Sequence, residues 1–231
     1  NLETIKAERE RIDAYLKQNG FYYFDPDYLI IQADSTIGND KVNLHVKVKP
    51  GTPNRARRVY TINDVYIFPG YQLNAAKADT LKTNAEFFEG YYVVDNNKTY
   101  KPRMFAQAMQ FSPGDVYNRT DHNQSISRLV NLGVFKFVKN RFEPVENSDS
   151  AQLNTYYYLT SLPKKSLRAE INANIKSNAL AGSGITIGWR NRNTFRAGEL
   201  LSINATAGFE IQYSGQLKGF NTYRGGLETK L

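Results

Sequence analysis

The 231-residue sequence has no cysteine. Disulfide bonds, thiolate metal sites and a cysteine nucleophile are therefore excluded. No stretch reaches the roughly 20 consecutive apolar residues that a transmembrane helix needs. Histidine is almost as scarce, because His45 and His122 are the only two. Neither has a metal partner at a suitable spacing, so we expect both histidines at the surface and no metal or cofactor in this chain.

Motifs of common enzymes are also missing from the sequence. Asp121, His122 and Ser125 lie within one helical turn, where they cannot supply a nucleophile, a base and an oxyanion hole together. There is no phosphate-binding loop and no dinucleotide fingerprint. We therefore expect a protein without catalytic residues. A soluble enzyme and a sugar- or nucleic-acid-binding β protein remain as less favoured alternatives.

Basic residues outnumber acidic ones and give the chain a net charge of +8. Such a surface favours anionic partners such as phospholipid headgroups, lipopolysaccharide or nucleic acid. The densest basic cluster, Arg55, Arg57 and Arg58, lies in a turn-rich stretch that we interpret as a solvated linker at 51–57. No nucleic-acid-reading motif surrounds it, so we expect no nucleic-acid partner.

The first 162 residues contain one unit and part of another. Residues 58–162 read as strand, helix, helix, strand, strand, with Pro102 opening the first helix, Asp121 capping the second and Gly133 ending it. Residues 3–50 repeat the second half: a helix that stops at Asn19-Gly20, an aromatic strand at 21–24, a turn and further strands. This similarity predicts an internal repeat whose first copy lacks its opening strand and helix.

Helical periodicity also predicts the core of the complete unit. The side chains that we expect on one face of its sheet are Met104, Phe105, Met109, Ile126, Leu129 and Val130. The predicted domains are 1–52 (partial unit), 53–164 (complete unit with an insertion near 71–95) and 165–231 (strands only).

The last 67 residues have a different pattern. Four strands are predicted at 167–177, 184–192, 199–213 and 220–231, joined by turns at 178–183, 193–198 and 214–219. Apolar and polar residues alternate along them, and the strands exceed the usual ~5–6 residues of globular proteins. A single strand of this kind also fits a soluble sheet with one face on a core. Long up-and-down strands without helices between them favour a membrane β-barrel, of which these would be the first four strands.

Ordered motifs in the complete unit and in the turn after it resemble those of a known family. They are Gly114-Asp115-x-Tyr117, Leu129-x-x-Leu132-Gly133-x-Phe135 and Asn-Thr-Phe-Arg-Ala-Gly-Glu at 193–199. The first two resemble a POTRA domain, the βααββ module of the Omp85 family, and the third resembles that family's first periplasmic turn. The likeness is greatest to the TamA-like branch. The resemblance implies α+β POTRA modules followed by the first antiparallel strands of a transmembrane β-barrel.

The same resemblance implies a role in outer-membrane protein assembly or translocation, without catalysis. We expect modules in the periplasm, a barrel in the bacterial outer membrane, and as partners outer-membrane lipid, unfolded outer-membrane or surface proteins and a periplasm-spanning accessory protein. The alternative is the pore of a two-partner secretion system, which exports a single protein.

Four sets of site residues follow from this expectation. The strand after the second helix should lie at the sheet's rim, where an extended client can add to it. Its client-binding residues are predicted to be Val134, Phe135, Lys136, Phe137, Val138 and Lys139. The lateral gate of the barrel is predicted to be its first strand, with Leu167, Ala169, Ile171, Ala173 and Ile175 on its apolar side. Lipid-facing residues are predicted to include Ile171, Ala173, Ile203, Ala205 and Phe209, and lumen-facing ones Glu170, Asn172, Asn204 and Glu210.

Overall fold

A computed structural model describes residues 2–36, 38, 41–72, 84–146, 150–176, 180–212 and 221–231. Over these residues the strands form a two-stranded, a five-stranded and a four-stranded sheet. The helices are α1 (Leu2–Gln18), α2 (Pro102–Ala108) and α3 (Arg119–Asn131). The strands are β1 (Leu29–Asp34), β2 (Asn43–Val48), β3 (Thr61–Phe68), β4 (Glu86–Phe88), β5 (Tyr91–Val93), β6 (Phe135–Pro144), β7 (Gln152–Ser161), β8 (Lys165–Lys176), β9 (Leu180–Arg192), β10 (Leu200–Gln212) and β11 (Thr222–Lys230).

The first unit consists of α1 and the antiparallel pair β1–β2. The prediction of an aromatic strand at 21–24 is wrong, because this stretch forms turns. Its tyrosines pack across onto the next unit: the Tyr22 ring lies 5.0 Å from that of Tyr117, and the Tyr23 ring lies 5.2 Å from that of Tyr60. These edge-to-face contacts stabilise the junction between the units rather than a strand within the first one.

The stretch predicted as a linker is also packed at this junction. A short 3₁₀ helix spans Asn54–Arg57, and Ala56 within it is fully buried. The Arg57 guanidinium donates to the carbonyls of Lys49 and Pro50, at 3.0 Å in each case. The arginine side chains remain exposed around this buried centre.

The five-stranded sheet has the order β4-β5-β3-β7-β6. β3 runs parallel to its neighbours β5 and β7, and the remaining pairs are antiparallel. The chain order β3-α2-α3-β6-β7 confirms the predicted βααββ arrangement. The stretch predicted as an insertion contributes the β4–β5 hairpin, which extends the sheet beyond β3; residues 73–83 of that stretch lie outside the described residues.

Helices α2 and α3 bury one face of this sheet. Met104, Phe105, Met109 and Leu129 are buried as predicted, and Ile126 is half-buried against them. The prediction for Val130 is wrong, because this residue is 50% exposed. The inward stripe of α3 is His122, Ser125 and Leu129. At about 100° per residue, the side chain after Leu129 turns away from the sheet.

The start of α3 differs from the prediction, whereas its end agrees. Asn118, not Asp121, is the N-cap: its side-chain oxygen accepts from the backbone N–H groups of Thr120 and Asp121 at 2.8 and 3.3 Å. Asp121 therefore lies inside the first turn, where its negative charge suits the helix dipole. The helix ends just before Gly133, as expected.

His122 is not at the surface as predicted, although His45 is. The His122 ring is 9% exposed, its Nδ1 lies 3.1 Å from the Tyr157 hydroxyl, and its centroid lies 5.0 Å from the ring of Phe142. Burial, with a smaller contribution from Arg119, lowers the pKa of His122 to about 4. It is a neutral core residue at physiological pH.

The four-stranded sheet has the order β11-β10-β9-β8, and every neighbouring pair is antiparallel. This confirms the predicted up-and-down strands. The predicted turn at 178–183 is too long, because β9 already begins at Leu180. Gly182 pairs with Asn174 there, so that the ladder continues where the glycine and serine content suggested a loop. The predicted turn at 214–219 lies outside the described residues.

Candidate functional site

β6 forms one edge of the five-stranded sheet, since β7 is its only partner among the described strands. Of the residues predicted to bind a client, Lys136, Phe137 and Lys139 are exposed and Val138 is half-buried. Val134 and Phe135 are buried in the core, at 2% and 5% exposure. The accessible edge therefore begins at Lys136, and the two preceding residues anchor the strand.

This edge carries an exposed apolar side chain with one cation beside it. Phe137 is 55% exposed, and the Nζ of Lys136 lies 5.3 Å from the centre of its ring. Further along the strand, Arg141 forms an ion pair with Glu143 at 2.7 Å. An extended segment could pair with the free main-chain groups of β6 and place an apolar side chain on Phe137.

The opposite edge of the sheet offers a natural comparison. β4 is the last strand there, and its Phe87 is 61% exposed. The Phe87 ring lies 5.0 Å from that of Tyr92 on the neighbouring strand. The sequence does not reveal this second edge, because a strand of only three residues is too short to show the alternation of a β-strand.

A three-residue connection joins the module to the four-stranded sheet. β7 ends at Ser161 and β8 begins at Lys165. The Leu162 N–H donates to the Val134 carbonyl at 2.8 Å, and the Arg192 N–H donates to the Lys164 carbonyl at 2.7 Å. β8 is the edge strand of its own sheet, so the connection links two sheets that each have an accessible edge.

One face of the four-stranded sheet is apolar. The strand register sets Ala169, Ile187, Ala205 and Leu227 side by side across all four strands, and directly opposed residues project from the same face. The residues predicted for the gate, and Ile203, Ala205 and Phe209 predicted to face lipid, all lie on this face. It is uncovered by the described chain: the exposed fraction of the residue is 73% for Leu167, 80% for Ile171 and 75% for Leu227.

The other face is polar, and its amide side chains lie over glycines. Asn172 is opposite Gly184, and Asn204 is opposite Gly188. A Cβ atom on Gly184 would come within 2.5 Å of the Asn172 Oδ1. A concavity of about 550 Å³ follows this face, lined by Asn172, Asn174, Thr186, Thr206, Glu210 and Arg224 among others. Glu210 and Arg224 form an ion pair within it.

The described residues contain no group of three or more histidine and acidic side chains arranged to hold a metal ion. None of their helices is both long enough and apolar enough to span a membrane.

Comparisons with known proteins gave similarities to solved structures. CdiB from Acinetobacter baumannii is 15% identical with a TM-score of 0.46, and the match covers 84% of this chain and 28% of that one. BamA from Haemophilus ducreyi lacking POTRA domains 1–3 is 12% identical with a TM-score of 0.46, over 88% of this chain and 36% of that one. The N-terminal domain of Omp85 from Thermosynechococcus elongatus is 18% identical with a TM-score of 0.34, over 71% of this chain and 54% of that one.

This chain therefore spans about a third of the length of the first two structures. No protein-family model matches the sequence, and no curated protein matches it. The strand and helix order defines an α+β fold, in which a module of βααββ order is followed by long antiparallel strands.

Proposed function

We propose that this chain belongs to an outer-membrane protein assembly or translocation factor of the Omp85 superfamily. Its βααββ unit is then a POTRA module in the periplasm, and β8–β11 are the first strands of a barrel in the outer membrane. The main support for this proposal is the long antiparallel sheet β8–β11, which has one apolar and one polar face and whose apolar face is uncovered by the described chain. Only three residues separate this sheet from a module that itself has a free sheet edge.

Hydrophobic energetics support a membrane environment for the sheet. Each large apolar side chain left in water forgoes roughly 1.5–3 kcal/mol of burial free energy, and the exposed face carries Leu167, Ile171, Ile175 and Leu227 among others. Lipid would cover these side chains while the asparagine- and threonine-rich face meets water. A soluble sheet would need a packing layer of similar extent.

The edge of β6 is the proposed client-binding site. Its unpaired main-chain groups can accept an extended segment of an unfolded outer-membrane or surface protein, and Phe137 can hold one of its apolar side chains. β8 is the proposed lateral gate. The binding edge β6 pairs with β7, and only three residues connect β7 to the gate strand β8. A periplasm-spanning protein is a further proposed partner.

Site-specific photocrosslinking in cells tests the client-binding edge. A photoreactive amino acid replaces Phe137 in the intact protein, and the same replacement at Phe87 is the matched control, because both are exposed phenylalanines on opposite edges of one sheet. We expect crosslinks to several outer-membrane or surface proteins from position 137 and few from position 87. Equal crosslinking from both positions, or none, contradicts the proposal. Crosslinks to a single exported protein favour the two-partner secretion alternative.

A further inference from the structure

The turn between β9 and β10, residues 193–199, contacts the α/β module. The Asn193 side chain is buried, and its Nδ2 donates to the Thr99 carbonyl at 2.8 Å. The Lys101 N–H donates to the Arg196 carbonyl at 2.6 Å. These two hydrogen bonds join residues almost 100 positions apart in the sequence, so the turn is an attachment point between the sheet and the module.

The turn has a conformation that only a few residue types tolerate. Asn193, Arg196 and Gly198 all have positive φ, at 67°, 71° and 86°. A Cβ atom on Gly198 would lie 3.0 Å from the Met104 sulfur, so glycine allows the turn to approach α2 closely. The Asn193 Oδ1 also accepts from the Gly198 N–H at 3.1 Å. One side chain thus fixes both the shape of the turn and its contact with the module.

The part of the module that receives the turn is itself firmly held. Tyr100, between the two residues that bond the turn, is buried and packs its ring on Phe105 and Phe135. Its hydroxyl lies 2.8 Å from the Ser161 Oγ at the end of β7, and its N–H donates to the Asp95 carboxylate at 2.8 Å. The turn is therefore attached to the core of the module and not to a loose surface loop.

A second attachment point is the connection between β7 and β8. A single short connection would leave the module free to rotate about it, whereas two separate points of contact remove most of that freedom. From these contacts we infer that Asn193 is a positioning residue, which holds the module and the sheet as one rigid body. The inference deepens the proposed function and rests on it: the client-binding edge of β6 is kept at a fixed distance and angle from the gate strand β8.

The direct test is a distance measurement by pulsed electron–electron double resonance on the intact protein in lipid nanodiscs. The chain has no cysteine, so Lys139→Cys on β6 and Thr229→Cys on β11 give one spin label in the module and one in the sheet. We expect a narrow distance distribution that becomes at least twofold broader on Asn193→Gly. Glycine tolerates the positive φ, so this variant removes the side-chain contacts without straining the backbone.

Arg196→Gly is the matched control, because Arg196 also has positive φ but contributes only its backbone carbonyl to the contact. It should leave the distribution narrow. A distribution for Asn193→Gly as narrow as that for Arg196→Gly would overturn the inference. If Asn193→Gly does not fold, Asn193→Asp serves instead: it retains an acceptor for the Gly198 N–H but cannot donate to the Thr99 carbonyl, and it should broaden the distribution as well.

Insertion of outer-membrane client proteins into the membrane is measured in parallel. It distinguishes the inference about Asn193 from the proposed function of the whole protein. A broad distribution with reduced insertion supports positioning as part of assembly. A broad distribution with unchanged insertion overturns that functional role. Absence of client crosslinks at Phe137 in the otherwise unchanged protein, with a narrow distance distribution, contradicts the proposed function and leaves the attachment itself intact.

Discussion

In both the five-stranded and the four-stranded sheet, apolar and polar residues alternate along the strands. The two sheets differ in whether the described chain covers their apolar face. In the five-stranded sheet, the inner face is covered by α2 and α3, and Leu153, Tyr157 and Leu159 of its inner strand β7 are fully buried. In the four-stranded sheet, the equivalent apolar residues of β8 are among the most exposed of the described chain. Alternation therefore specifies that a strand has two faces, but not what covers the apolar one.

The difference shows where each sheet obtains its stability. The first carries its own core, because its helices are part of the same module. The second depends on a partner outside the described chain, and lipid is the partner that we propose. Substitutions in the two sheets should consequently respond to different variables: packing in the first, and the surrounding solvent in the second.

The largest effect is expected in the core of the module. Leu129→Ala should lower the free energy of unfolding by roughly 2–5 kcal/mol, because it removes a fully buried side chain and leaves a cavity. Urea unfolding of a 53–164 fragment, followed by circular dichroism, measures this. Val130→Ala, one residue on but half-exposed, is the control and should cost less than about 0.5 kcal/mol. Similar losses for both variants would mean that the orientation of α3 is wrong.

The next effect concerns the apolar face of the second sheet. Ile203→Arg should lower the stability of the protein in the membrane by roughly 2–4 kcal/mol if residue 203 lies near the middle of a bilayer, whereas Asn204→Arg should lower it much less. Spin labels at both positions in lipid bilayers provide the measurement. Label 203 should be accessible to oxygen and label 204 to a water-soluble relaxant. Equal accessibility of the two positions to both reagents would contradict the membrane sheet.

Because of His122, the free energy of unfolding is expected to change with pH by about 3 kcal/mol. Its pKa is about 4 in the folded protein, compared with 6.5 ordinarily, so the unfolded chain binds a proton that the folded chain excludes. Stability contributed by neutral His122 is complete above pH 6.5 and decreases as the pH falls toward 4. Unfolding of the module fragment at a series of pH values should show this slope. His122→Gln should be less stable at pH 7 and should show a flatter dependence.

The smallest effect is expected at the attachment between module and sheet. The Glu199 carboxylate accepts from the N–H groups of Phe195 and Ala197, at 3.1 Å in both cases. Burial raises the pKa of Glu199, but its own backbone N–H, those of Ala197 and Phe195, and the charge of Lys101 together lower it below the usual value. The stabilisation is therefore present above about pH 4.5 and is lost as the pH falls further. Glu199→Gln should lower the free energy of unfolding by at most about 1 kcal/mol. The distribution of distances between spin labels at positions 139 and 229 should broaden only slightly. A large broadening would assign the attachment to Glu199 instead of Asn193.

Local patterns predicted much of this architecture. The long alternations in β8 and β10 fixed their strands and faces, and the Leu-x-x-Leu-Gly spacing fixed the end of α3. The errors occurred where tertiary contacts decide the outcome. His122 and Val130 differ from expectation because the rotation of α3 depends on what it packs against, and 21–24 pairs rings with a neighbouring unit instead of pairing its backbone.

The attachment site could be predicted only in part. The motif at 193–199 indicated a turn, and asparagine and glycine within it are residues that tolerate positive φ. Nothing in the sequence indicates that Asn193 would reach Thr99, because that contact depends on how the module and the four-stranded sheet meet. The polar edge of β6, by contrast, followed from the order of elements in the module.

The distribution of glycine in the four-stranded sheet has a consequence for its curvature. Gly182, Gly184, Gly188, Gly208 and Gly226 all lie on the polar face, and Gly225 alone lies on the apolar face. When a sheet bends, side chains on the concave side are pressed together and those on the convex side spread apart. Missing side chains on the polar face leave room for that compression, and glycine is a common site of tight bending in closed sheets. The sheet is therefore shaped to curl toward its asparagines, with its isoleucines and leucines on the outside of the bend.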